Sequence, residues 1–241
     1  MKRRLLRMAN GLVKPLGVQF YRSGMDMESV IGQIGRRDGA IGTVLDIGAS
    51  DGKWSRAAMR HLRDSRFIAV DPLSERENML RRLKKENSRF DYILCAAGEK
   101  DSDTVSLSVA DDLDGSTVGG NWGSKRVVAT HSIDHIVTIM NCVGPYLLKF
   151  DTHGFEVPIL KGAERTLGQT HYIVMEVYNY RHTPGTLLFY EMCDLLDSLG
   201  FRCFNIADPM HRPLDGAFWQ MDLFFARKGH DFFRENSYSG V

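Results

Sequence analysis

The chain predicts an open α/β fold: a seven-stranded, mostly parallel sheet with one strand reversed near its edge. Three observations carry this. Val44-Leu-Asp-Ile-Gly-Ala-Ser-Asp-Gly runs an apolar strand into a turn of small residues. Apolar strands then alternate with helical stretches, the rhythm of parallel strands joined by crossovers. Near the end, two apolar runs lie too close together for a crossover, so they pair antiparallel.

Taken in order, residues 1–40 read as a helical lead-in, interrupted by glycine and basic residues. Strand 43–47 follows, then helix 53–63, strand 66–70, helix 73–87 and strand 91–95. Residues 104–109 and 125–130 alternate apolar and polar side chains, which predicts an antiparallel pair around a long polar loop. A loop of that length inside a compact domain is usually functional or disordered. The α/β rhythm resumes with strand 146–150, helix 155–167, strand 172–177, helix 186–199 and strand 201–206. Strand 219–226 closes the sheet. No linker, repeat or low-complexity stretch divides the chain, so 41–228 reads as one structural domain with a tail at 229–241.

The turn after the first strand is informative for what it omits. A dinucleotide fingerprint requires Gly-x-Gly-x-x-Gly, and a P-loop requires Gly-Lys-Ser/Thr. Here the pattern is Asp46-x-Gly48-x-x-x-Gly52. Such a turn suits an adenosine ligand without phosphates, which S-adenosylmethionine (SAM) is, and disfavours a nicotinamide dehydrogenase. Asp71 ends the next strand, 19 residues past Gly52, near the offset at which a carboxylate meets ribose hydroxyls. Preceding Pro72, it also reads as a helix N-cap, and the two roles are compatible.

Composition excludes several classes. A net charge of +1 gives no electrostatic case for nucleic acid. Four scattered cysteines, Cys95, Cys142, Cys193 and Cys203, form no Cys-x-x-Cys pair and read as thiols in a reducing, cytoplasmic setting. No apolar run is long enough for a membrane span. The basic N-terminus, Met1-Lys-Arg-Arg-Leu-Leu-Arg-Met-Ala, supports at most weak peripheral contact with an anionic membrane. Oligomeric state has no signature.

The second dense motif is Leu147-Leu-Lys-Phe-Asp-Thr-His-Gly-Phe-Glu, which brings Asp151 and His153 to the strand edge carrying Gly48 and Asp71. With the first turn, Ile173-Val-Met-Glu-Val and the tail Arg212-Pro-Leu-Asp-Gly-Ala-Phe-Trp-Gln-Met-Asp-Leu-Phe-Phe, it resembles the FkbM-type family of SAM-dependent methyltransferases over roughly residues 40–228. The resemblance implies a class I methyltransferase fold, a Rossmann-like three-layer sandwich. It also implies methyl transfer to a hydroxyl of a sugar, glycan, polyketide or related small metabolite. By position, Asp46, Gly48, Ala49, Ser50 and Gly52 would surround the methionine part of SAM. Asp71 would hold the ribose, and Ala96 and Ala97 would lie against the adenine. Ser50 departs from the family, which more often has asparagine there.

An aliphatic hydroxyl needs a base, and Asp151, His153 and Glu176 are the candidates. Asn179, Tyr180 and His182, in the loop after Glu176, are expected to bind the acceptor. Asp151, Glu176 and Asn179 could offer oxygens to a divalent ion, but they show no recognised ligand spacing, so no metal is expected. Two alternatives share the fold: a non-catalytic SAM-binding scaffold, and an N-methyltransferase, whose usual Asn/Asp-Pro-Pro-Tyr/Phe motif is replaced by Asp151-Thr-His-Gly.

Overall fold

The structure, a computed structural model, describes residues 26–37 and 41–238 together with Leu12, Pro15 and Gly24. The basic N-terminus, most of the lead-in before residue 26, and residues 239–241 lie outside the described residues. Helix α1 (Met27–Arg37) turns Val30, Ile31 and Ile34 inward, at the spacing of one helical face. The chain then alternates through β1 (Thr43–Ile47), α2 (Lys53–Ala58), β2 (Arg66–Asp71), α3 (Glu77–Glu86) and β3 (Phe90–Leu94). A short β4 (Ala96–Ala97), β5 (Asp103–Val109), β6 (Thr117–Val118) and β7 (Ser124–His131) form a second, four-stranded sheet in the order β4-β7-β5-β6. The main rhythm continues with α4 (Ile133–Ile139), β8 (Tyr146–Phe150), α5 (Glu156–Lys161), α6 (Glu164–Gly168), β9 (Thr170–Tyr178), α7 (Phe189–Ser198), β10 (Phe201–His211) and β11 (Phe218–Arg227).

The main sheet has the order β10-β11-β9-β8-β1-β2-β3. Strands β3, β2, β1, β8 and β9 pair in parallel, while β11 runs antiparallel to both β9 and β10. The single reversed strand is therefore as expected, and it is inserted between its predecessors instead of lying outermost. Every residue of β1 and β8 is buried, the pattern of parallel strands covered on both faces. Val44 and Leu147 pack with α1, α2 and α3, whereas Leu45, Ile47, Leu148 and Phe150 pack with α4, α5, α6 and α7. Successive residues thus face opposite layers, which makes the three-layer sandwich.

Several elements differ from the sequence expectation, among them α4, which was not expected, and β10, which runs on to His211. The helix expected over 53–63 ends at Ala58 and continues as turns. The 73–87 helix begins with a 3₁₀ turn, Ser74–Arg76, whose N-cap is Leu73 and not Asp71. The 155–167 helix breaks at Gly162, where an added Cβ would lie 2.1 Å from the Gly98 carbonyl oxygen. That close approach docks the second sheet against the α5–α6 junction. The loop between β5 and β7 is partly ordered, since Leu107 and Ser108 pair with Val118 and Thr117. The antiparallel β5–β7 pair itself is as expected.

Gly162→Ala is expected to lower unfolding free energy by about 1–3 kcal/mol, the typical cost of overpacking at a site that cannot yield. Urea denaturation measures it; an unchanged midpoint would mean that the two sheets are not held through this contact.

Candidate active site

A cavity opens at the carboxyl ends of β1, β2, β8 and β9, the edge at which open α/β sheets bind ligands. Its floor is the turn after β1. Gly48 has φ 78°, and a Cβ there would sit 1.9 Å from the Asp151 carbonyl oxygen, so only glycine fits. Ser50 also adopts a positive φ of 47°, which aims its amide at Asp71 Oδ2, 2.7 Å away. The Leu73 amide donates to Asp71 Oδ1 at 2.9 Å. Asp71 therefore braces both turns and still lines the cavity. Burial pushes its carboxyl up to about 6, against the pull of those two amides.

Gly48, Ser50, Asp71, Ala96 and Ala97 line the cavity. Asp46, Ala49 and Gly52, expected beside them, stand behind its wall. Asp46 is fully buried, accepts from Ser55 Oγ at 2.6 Å and lies 3.2 Å from Lys149 Nζ. Burial raises its pKa while Lys149 opposes the shift. Ala49 packs in the core with Val44 and Phe67, and Gly52 faces Leu80 and Leu83 at the start of α2.

The other end of the cavity gathers charges. Lys149, 3% exposed, donates to Asp151 Oδ2 at 2.9 Å and to the Gly48 carbonyl at 3.2 Å. Burial disfavours both charges, yet the attraction between them prevails: Lys149 shifts upward and Asp151 falls to about 2. His153, with φ 53°, places Nε2 2.7 Å from the Asp114 carbonyl oxygen and 3.7 Å from Asp151 Oδ1. Its Nδ1 lies 3.2 Å from Glu176 Oε2 and 2.6 Å from the Tyr178 hydroxyl. Burial alone would depress the imidazole, but the Glu176 hydrogen bond and the Asp151 and Glu176 charges carry it up to about 9. With acceptors at both ring nitrogens, the imidazolium is the form this geometry holds. An imidazolium has no free lone pair, so this geometry disfavours His153 as the resting general base and leaves Asp151 and Glu176 as the other candidates.

Glu176 accepts from the Tyr178 hydroxyl and the Gln220 amide. Burial and the neighbouring Asp151 charge raise its pKa. Asp222 faces Glu176 across the β9–β11 register, and burial, followed by the Glu176 charge, pushes it up to about 8. Donor atoms of Asp151, His153 and Glu176 lie within 4.8 Å of one another. In this arrangement, however, the Lys149 ammonium and the imidazolium already offset the two carboxylates.

Asn179, Tyr180 and His182 do not line this cavity. The Asn179 amide donates to the Trp219 carbonyl, which anchors the loop to β11. Tyr180 stacks on Trp219 at 5.1 Å and takes the Arg212 guanidinium 4.3 Å from its ring. His182 packs edge-on against Tyr178 and Trp219. Sequence reasoning did not assign Lys149, Asp114, Tyr178, Gln220 or Asp222. Of these, only Lys149 carried a signal, as a lone charge inside the apolar strand Tyr146–Phe150.

The family model for the methyltransferase FkbM domain matches residues 46–203. Among solved structures, methyltransferase FkbM from Methylobacillus flagellatus KT is 21% identical at a TM-score of 0.48, with 81% of this chain and 47% of that chain covered. The chain thus spans about half the length of that relative. A Burkholderia thailandensis 1,6-didemethyltoxoflavin-N1-methyltransferase, with S-adenosylhomocysteine bound, is 12% identical at a TM-score of 0.46, covering 85% and 79%. The Methanococcus jannaschii fibrillarin pre-rRNA processing protein is 13% identical at 0.47, covering 79% and 68%. No curated protein matches the chain.

His153 generates a stability prediction. Its folded pKa lies above the ordinary 6.5, so its contribution is complete below that pH and is lost as pH rises through about 9. Unfolding free energy is expected to drop by about 3 kcal/mol across that window, and His153→Gln to flatten the drop. Denaturant titrations at a series of pH values check it; an identical slope in the variant would contradict the charged imidazole.

Proposed function

The chain belongs to the methyltransferase FkbM domain family, and from that premise we propose that it transfers the methyl group of SAM to a hydroxyl of a small-molecule or glycan acceptor. One observation carries the cofactor part of this reading. Among the described residues the cavity is lined by four carboxylates, Asp71, Asp114, Asp151 and Glu176, and by no lysine or arginine. Apart from the His153 imidazolium, no lining side chain among the described residues is cationic, so the wall offers a pyrophosphate little to pair with and suits a cationic nucleoside without phosphates.

The residues present fit SAM. The Asp71 carboxylate has lone pairs left for two ribose hydroxyls beyond the amides it already accepts from. Ala96 and Ala97 leave a flat, apolar wall for the adenine, and Gly48 brings bare backbone to the methionine part. Bound there, SAM supplies an electrophilic methyl group on a sulfonium. The chain supplies alignment of the acceptor, exclusion of water and a place for its proton. Glu176 is the better proton acceptor because its pKa is raised toward the working range, whereas Asp151 is held strongly ionised. His153, as imidazolium, orients Glu176 and offsets its charge.

Among the described residues no helix is long and apolar enough to cross a membrane. The four free thiols, at Cys95, Cys142, Cys193 and Cys203, favour a reducing, cytoplasmic setting for this activity.

Isothermal titration with SAM, and with NADH as control, tests the proposal. Micromolar SAM binding that Asp71→Ala weakens at least about 30-fold, roughly 2 kcal/mol of charge-assisted hydrogen bonding, is expected. A folded protein that binds no SAM, or prefers NADH, overturns the reading. Binding also depends on pH through the same group. The ionised carboxylate accepts ribose hydroxyls and the neutral acid does so poorly, so affinity is expected to fall up to tenfold per unit as pH drops below about 6. Titrations in Asp71→Asn should lack that acid limb.

A further inference from the structure

We infer that Lys149 is a positioning residue for methyl transfer: its ammonium ties the Asp151 carboxylate to the cofactor turn and fixes it, ionised, at the wall that the methyl group faces. The inference rests on the methyltransferase reading above. Lys149 Nζ donates to Asp151 Oδ2 at 2.9 Å and to the Gly48 carbonyl at 3.2 Å, and it lies 3.2 Å from Asp46 Oδ1 as an ion pair without hydrogen-bond geometry. The three oxygens belong to three different parts of the site. Asp46 sits in β1, Gly48 forms the floor under the cofactor, and Asp151 opens into the cavity.

A purely structural lysine is poorly explained by this arrangement. Burying an ion pair costs several kcal/mol of desolvation per charge, and an apolar pair of the same volume serves stability as well or better. The shortest contact, moreover, goes to Asp151, which is open to the cavity, and not to the sealed Asp46. The charges facing Lys149 are Asp46 from β1, Asp151 from the turn after β8, Glu176 from β9 and Asp222 from β11. The Trp54 ring of α2 lies 5.8 Å away. Without the ammonium, the neighbouring Asp151 and Glu176 carboxylates, within 4.8 Å of each other, repel with only the His153 imidazolium to offset them, and one of the two takes up a proton.

Sinefungin and S-adenosylhomocysteine make a probe that requires no acceptor. Sinefungin carries an amine where SAM carries its methyl group, so the ratio of the two affinities reads the carboxylate charge at that point. Ribose and adenine contacts, including Asp71, cancel in the ratio. The test variant is Asp46→Asn with Lys149→Met, which removes the sealed Asp46 charge together with the ammonium and leaves only the cavity-facing Asp151 without its partner.

In titration calorimetry, the parent is expected to prefer sinefungin by a factor constant within about threefold between about pH 5.5 and 7.5. The double variant is expected to lose about tenfold of that preference toward the acid end, any affinity lost through the Gly48 floor being shared by both ligands and cancelling in the ratio. A merely structural lysine would leave the ratio unmoved, so superimposable profiles overturn the inference. Should the double variant fail to fold, Asp151→Asn decides alone: loss of the sinefungin preference supports the assignment, and its persistence overturns it. Failure of the parent to bind either ligand is a different result, which removes the methyltransferase reading and this inference with it.

Discussion

The site depends on how closely the ends of β1 and β8 are pressed together. The Asp151 amide donates to the Ile47 carbonyl, and the Asp151 carbonyl occupies the space that a side chain at position 48 would need. Nothing but glycine permits this, and the consequence is that the cofactor turn and the charged cluster are joined backbone to backbone. Lys149 emerges from the sheet beneath that seam with Asp46 on one side and Asp151 on the other. A misfit of one ångström here would displace both walls of the cavity together, and positioning errors of that size are costly in catalysis.

The remaining structure supports this seam from outside. Glu156, buried at the start of α5, accepts from the Gly154 amide and Thr152 Oγ1, so the turn through Asp151, Thr152 and His153 is stitched to the helix that follows. Thr117 Oγ1 donates to the His153 carbonyl, and Asp114 accepts from Ser50 Oγ and Arg76. The segment between β5 and β7 therefore spans the cavity from the cofactor turn to His153. An internal polar loop of that length found a role as the roof of the site, with Leu113, Asp114 and Ser116–Val118 facing inward.

Much of this was legible in the chain because the relevant signals are local. Strand periodicity, the small-residue turn and the carboxylate at the end of β2 each lie within a few consecutive residues and point to the sheet, Gly48 and Asp71, whereas Ser50, Ala96 and Ala97 came only with the family resemblance. What escaped sequence reasoning depends on pairing across long separations. Gln220 meets Glu176 only because β11 inserts beside β9, and Asp114 meets His153 only because the second sheet folds over the first. The protonation of His153 was illegible for the same reason: it is set by Glu176 and the Asp114 carbonyl, which are 23 and 39 residues away. Asp46 shows the converse. Its place in the motif suggested contact with the ligand, yet strand alternation turns it toward Ser55 and Lys149, where it organises the wall from behind. Tyr180, expected to bind the acceptor, already packs against Trp219 and Arg212.

The proposed function requires one cavity to order a SAM-type ligand between Asp71 and the Asp151–Glu176 pair. A crystal structure with S-adenosylhomocysteine bound is the decisive measurement. Both ribose hydroxyls are expected within hydrogen-bond distance of the Asp71 carboxylate, adenine against Ala96 and Ala97, and the sulfur facing Asp151 and Glu176. A ligand bound in the reverse direction, or outside this cavity, would contradict it.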